Sequence, residues 1–221
     1  MIEIHQTLTG KKVGRKYNVE VLNKGAIVLL DACLEAYVED LATEAFGLLI
    51  RRAKSPDVFP IDVRRKVSKE LRKGEEEKQK SNEPSQKVDV EMRMWDLAGE
   101  GWKNVLKFYK NRVLERHVGQ LNTPNSNHID ALFASLLAIK KVSRKWSWHK
   151  TAPGEARARL DDLIALRGDI AHRVSTSRSV RRSDVERAAK LVTKIAVATH
   201  NTINDTLKKS LGCTPWKYGP I

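Results

Sequence analysis

At 221 residues, with 41% hydrophobic and 6% aromatic residues, the chain is long enough to bury one substantial core. It is too lean in aromatics for a sandwich or barrel, which favours a helix bundle built on Leu, Ile, Val and Ala. Forty-one Lys and Arg against twenty-seven Asp and Glu give a formal charge of +14, a field that concentrates polyanions and makes nucleic acid the first partner to consider.

MIEIHQTLTGKK has no apolar stretch of signal-peptide length, and no run of about eighteen apolar residues occurs anywhere, so a cytoplasmic protein without a membrane role is expected. Cys33, inside an apolar helix pattern, and Cys213 lack CxxC or Cys/His spacing. Neither a disulfide, a bound metal nor a cofactor is expected.

Residues 1–23 show no period and read as an N-terminal arm. From Lys24, Ile27, Leu30, Leu34, Tyr37, Val38, Leu41, Ala45 and Leu48 recur at steps of three and four, which predicts a long amphipathic helix. Asp31, Glu35, Glu39 and Asp40 are expected on its outer face, and Arg51 and Arg52 at its C-terminal end. After Ser55-Pro56 a second helix is expected from Ile61 to about Leu71. GEEEKQKSNEPSQK then reads as a solvated helix tail and a flexible polar loop at about 74–88.

Pieces around Trp95 and from Trp102 to His117 follow, the second helical by pattern. The cluster from Asn122 to Asn127 is a turn, after which HIDALFASLLAIKKV restarts a helix with Ile129, Leu132, Phe133, Leu136 and Leu137 inside. Thr151 and Pro153 open the next helix, which ends near Arg173. Ser183 and Glu186 have capping-box spacing and start a last long helix that stops near Gly212. The chain is therefore expected to be all-α and a single domain over 24–212, with a tail at 213–221.

Arg167 and His172 pair a permanent cation with a residue that can trade protons near neutral pH, in the pattern RxxxxH. His can take the proton from a ribose 2′-hydroxyl or give one to the leaving 5′-oxygen, while Arg stabilises charge on the scissile phosphate. The spacing alone does not select this pair, because Arg112 with His117 and Arg144 with His149 share it. Context separates them: Leu160, Leu163, Ile164, Leu166, Ile170 and Ala171 form an apolar arc with Arg167 near its centre. An unpaired guanidinium there is costly, so Arg167 must meet a carboxylate such as Glu35 or Asp31, line a polar cleft, or face a partner subunit.

Five residues of ideal helix set Arg167 and His172 about 140° apart around the axis. Either the helix loosens in its C-terminal turn or two copies face each other and share one cleft.

LIALRGDIAHR, the first helix AIVLLDACLEAYVEDL, the segment TPNSNHIDALFASLLAI and a final long helix together resemble HEPN proteins of the RiboL-PSP-HEPN type, over residues 24–210. The resemblance implies an up-and-down bundle of four or five helices that dimerises through the motif helix. It also implies a metal-independent endoribonuclease site in which Arg167 and His172 are catalytic, in a toxin or host-defence setting with an antitoxin or defence-system partner protein. HEPN proteins often carry Asn, Asp or His directly after the motif Arg, where this chain has Gly168. Asp169 could stand in by orienting either residue, although it lies opposite the apolar arc and solvation explains it equally. HEPN toxins paired with nucleotidyltransferase antitoxins carry a modified Tyr two positions after the motif His, where this chain has Val174, so that control is not expected.

KKVSRKWSWHK interleaves basic residues with tryptophans, which makes Lys145 and Trp148 candidates for phosphate contact and base stacking; a core or interface role for the tryptophans is the alternative. Arg173, Arg178, Arg181 and Arg182 could track an RNA backbone beside the motif helix, or simply line a solvated loop. His200 is expected to cap a carbonyl or meet water. Against the ribonuclease stands a catalytically inactive module that binds RNA or a nucleotide, and against both a protein whose helices serve only dimerisation or a partner.

Overall fold

In the computed structural model the described residues are 19–80, 99, 101–118, 124–173 and 179–216, without the side chains of 71–80, 118 and 173. The chain is all-α: α1 (Glu20–Arg52), α2 (Ile61–Lys80), α3 (Gly101–Val118), α4 (Ser126–Leu136), α5 (Pro153–Arg173) and α6 (Arg182–Leu211), with 3-10 turns at Pro56–Val58 and Val142–Lys145. No strand occurs among the described residues; only an isolated bridge joins Trp148 and Thr151. No described helix is long and apolar enough to cross a membrane.

The long helix α1 is the axis of the bundle and packs against α3, α4, α5 and α6. Ile27, Leu34, Val38, Leu41, Ala45 and Leu48 are buried on it, as the three-four spacing predicts, and so are Phe46, Leu49 and Ile50, where α1 meets the rest of the core. It begins four residues before Lys24 because tertiary contacts hold its first turn. Glu20 pairs with Lys24 at 3.3 Å and accepts from the Ser179 hydroxyl, while the Asn23 amide donates to the Val180 carbonyl. Two α1 residues differ from expectation: Cys33 is exposed, and Asp31, placed by its charge on the outer face, is 1% exposed in the core.

Past Ala53 the chain turns so that Phe59 meets Phe46 edge-on at 5.5 Å and Trp102 at 6.1 Å. Helix α2 buries Val63 and Val67 and continues nine residues beyond Leu71, through a stretch rich in Glu, Lys and Gln, residues of good helix propensity. On α3, Trp102, Leu106, Tyr109 and Val113 face inward, and the Tyr109 hydroxyl donates to the Ser135 carbonyl of α4.

The Asn125 side chain caps α4 by accepting from the N–H groups of Asn127 and His128, both at 3.0 Å. That helix stops at Leu136, short of the expected KKV segment. Ala138 takes a left-handed φ of 56°, and the chain then drops Val142 and Trp146 fully into the core. The bend is fixed by Asp130, whose carboxylate accepts from Ser143 N–H at 2.8 Å and Ser143 Oγ at 2.7 Å.

Helix α6 starts at Arg182 rather than at the Ser183–Glu186 pair. The Asp184 carboxylate reaches back to the Arg181 N–H at 2.9 Å, which supplies the reciprocal half of a cap two residues earlier. Gly212 ends it at φ 68°, donating to the Lys208 carbonyl, a conformation glycine adopts without Cβ strain. Beyond it Trp216 stacks on His200, so the tail docks on α6 at least as far as that residue. Residues 1–18 of the expected arm, 81–88 of the expected loop, Trp95 and the tail from 217 lie outside the described residues.

Candidate functional site

The three RxxxxH pairs have different surroundings. His117 is buried on α3, whereas Arg112 is exposed and sits 5.6 Å from the Phe108 ring. Arg144 and His149 are exposed, one on a 3-10 turn and the other on the tight turn at Trp148–Thr151. Arg167 and His172 share α5 at its last turn and a half, as Arg112 and His117 share α3, but here the histidine is exposed and the arginine is the partly buried member.

Along α5 the apolar arc is covered first and uncovered later. Leu160, Leu163 and Ile164 are buried, Leu166 and Ile170 half-buried, and Ala171 exposed. The motif thus lies where α5 runs out from under the bundle. Arg167, on the covered side of that transition, keeps its side chain 24% exposed with Nε 3.0 Å from Asp31 Oδ2. The contact is an ion pair without an aligned hydrogen bond: neither Asp31 oxygen nor Arg167 Nε makes one among the described residues.

Burial pushes the Asp31 carboxyl up from its ordinary range, and the Arg167 charge only partly counters this. Glu35, one turn further along α1, is raised by burial and by its neighbours Glu39 and Asp31, and lowered by Arg167. Arg167 therefore lies in the field of two acids. Of the possibilities open from the sequence, the carboxylate partner is realised, while the partly exposed guanidinium can still be reached by a ligand.

His172 and Asp169 are exposed. Because α5 remains helical through Arg173, the C-terminal turn does not loosen to bring His172 round to the Arg167 side. Within one copy the pair does not converge on one phosphate.

Of the candidate RNA contacts, Lys145 is exposed and Trp148 half-buried against the core cluster. Arg181 is exposed, and Arg182 pairs with Glu186 at 2.7 Å. Arg178 and the side chain of Arg173 lie outside the described residues, as does Val174. No cluster of three or more His, Cys, Asp or Glu that could hold a metal occurs among the described residues. Asp31 is one of the two acids that the sequence offers as partners of Arg167, but its burial is not the outer-face position expected for it: Ile27, Asp31, Leu34 and Val38 fall on one helical face, so a charge interrupts the core stripe of α1 as Arg167 interrupts that of α5.

A family model described as RiboL-PSP-HEPN matches residues 2–205. No curated protein and no solved structure matches the chain.

Proposed function

The chain belongs to the RiboL-PSP-HEPN family, and on that premise we propose that it is a metal-independent endoribonuclease cleaving single-stranded or loop RNA, working as a homodimer in the cytoplasm. The observation that carries this reading is the placement of Arg167, tethered to Asp31 yet partly open, and of exposed His172 on the end of α5 that the bundle leaves uncovered.

In the proposed reaction His172 takes the proton of a ribose 2′-hydroxyl as the 2′-oxygen forms a bond to phosphorus. The bond from phosphorus to the 5′-oxygen breaks, and that oxygen receives a proton from an imidazolium, supplied by the second copy's histidine across the twofold axis. Arg167 stabilises the charge gathering on the non-bridging oxygens. The products are a 2′,3′-cyclic phosphate and a free 5′-hydroxyl. A toxin or host-defence setting, with a partner protein that restrains activity, goes with this reading through the family resemblance.

A second reading, a catalytically silent module that holds RNA or a nucleotide, is favoured by two observations. Asp31 already occupies the field of Arg167, and the position after Arg167 is Gly168. One experiment separates the two. Wild type, His172→Ala and Arg167→Ala are incubated with mixed cellular RNA in EDTA, with circular dichroism confirming that all three are folded. The ribonuclease predicts cleavage by wild type alone, leaving cyclic phosphate ends. Equal cleavage by all three would overturn the site assignment, and intact RNA throughout together with salt-sensitive RNA binding would favour the silent module.

A further inference from the structure

Between α5 and α6 runs an open groove of about 650 Å³, outside the Arg167–His172 pair. Its apolar surface comes from Ile27, Leu163, Leu166 and Leu191, and half-buried Trp148 adds an aromatic wall. The charged border is unequal. Arg159 is engaged by Glu155, and Asp184 by Arg187 and the Arg181 N–H, leaving Asp162 against Lys190 and Lys194. Both lysines are exposed, and neither has an acidic partner among the described residues.

Lys190 and Lys194 are one turn apart on α6, with their Cβ atoms about 6 Å from each other. They present two cations in a row beside an apolar floor, the pairing of features that holds a single-stranded polynucleotide: cations follow the backbone while bases stack on apolar and aromatic surface. The groove reaches Leu166, and His172 lies six residues further along α5, about 9 Å in axial rise. A strand lying in the groove and continuing along α5 reaches the motif end of the helix, where His172 lies about 120° around the axis from Leu166.

We propose that the α5–α6 groove is a single-stranded RNA subsite, with Lys190 and Lys194 on the phosphates and Trp148 against a base, which holds the strand flanking the scissile bond. This rests on the ribonuclease reading for what the strand is held for, though the binding itself does not require cleavage. A second copy is the poorer occupant, because it carries the same net charge of +14 to a border whose unpaired cations among the described residues are Lys190 and Lys194, whereas a polynucleotide brings the opposite charge.

The test uses the full chain with His172→Ala, which prevents cleavage during titration, and a labelled oligouridine of about twelve nucleotides read by fluorescence anisotropy. Adding Lys190→Ala and Lys194→Ala is expected to weaken binding about tenfold at moderate salt and to reduce the slope of log affinity against log salt by about 1.4. Unchanged affinity and slope, or no binding by the parent, would overturn the subsite. So would loss of dimer mass in the lysine variant, which would make the groove an interface between copies, or equal competition by polyglutamate, which would make it a site for acidic protein. The two readings fail separately. Loss of binding in the lysine variant while wild type leaves RNA intact removes the ribonuclease and keeps the subsite, whereas cleavage by wild type with normal binding in the lysine variant does the reverse.

Discussion

Oδ2 of Asp31 stands 3.0 Å from Nε of Arg167, across the contact between α1 and α5. Each residue interrupts an otherwise apolar helical stripe, and each is the charge that makes the other tolerable there. Such a pair is weak as a source of stability, since desolvation offsets much of the attraction, and its use is better sought in where it holds the guanidinium.

Asp31 supplies the first prediction. Its carboxyl is raised above the ordinary value of 3.8 in the folded chain, because burial outweighs Arg167. The folded state therefore holds this proton more tightly than the unfolded state. The stabilising effect is complete below about pH 3.8 and is lost as pH rises through the folded value. Asp31→Asn removes that dependence, so the variant should gain stability relative to wild type between pH 4 and pH 7. Urea unfolding at both pH values checks this; a stability difference that stays constant would show that Asp31 does not titrate in this way.

Trp146 and Thr199 provide the second. Both are fully buried, and the indole Nε1 donates to Thr199 Oγ1 at 2.9 Å, tying the turn before α5 to the middle of α6. Thr199→Val keeps the shape and strands the indole N–H, at an expected cost of about 1–3 kcal/mol. In a double-mutant cycle with Trp146→Phe, the valine should cost much less, because no donor is left unsatisfied. Equal costs in the two backgrounds would assign the effect to packing.

Docking of the tail is tested through His200, whose ring stacks on Trp216 with centroids 4.9 Å apart. Burial lowers the His200 pKa below the ordinary 6.5. Stability from this group is thus present above that value and lost as pH falls through the folded one. Trp216→Ala uncovers the ring and should return its pKa toward the ordinary range. Titration of its imidazole proton by NMR reads the change directly, and an unmoved midpoint would mean that α6 alone sets the environment.

The fold was legible where apolar spacing is regular, as in α1 and α3, and less so at ends decided by tertiary contacts. The first turn of α1 depends on Ser179 and Val180, more than 150 residues away in sequence, and α4 stops early because Asp130 captures Ser143. In the site, Arg167 stood out as a charge on an apolar arc, whereas Asp31 was assigned outward by residue type although Ile27 and Leu34 on either side share its face. Charge identity misled where periodicity would not have. The α5–α6 groove joins residues of three helices and a turn, so no local pattern exposes it.

Gly168 is the position where stability and chemistry can be separated. It lies within α5, and a Cβ added there meets nothing within 4 Å, so no packing reason requires glycine. Gly168→Ala should therefore stabilise the chain by about 0.5–1 kcal/mol, by removing the entropic cost of glycine in a helix. Thermal or urea unfolding measures that gain. Gly168→Asn adds a polar group directly after Arg167, the side-chain type common at this place in the HEPN proteins this chain resembles, in the same open space. If a polar group there helps hold RNA or orient Arg167, the asparagine variant should cleave faster than both wild type and the alanine variant, at comparable stability. Faster cleavage by alanine and asparagine alike would trace the effect to helix rigidity. Equal rates in all three would mean that the residue after Arg167 takes no part in the reaction, and that the departure at Gly168 carries no penalty.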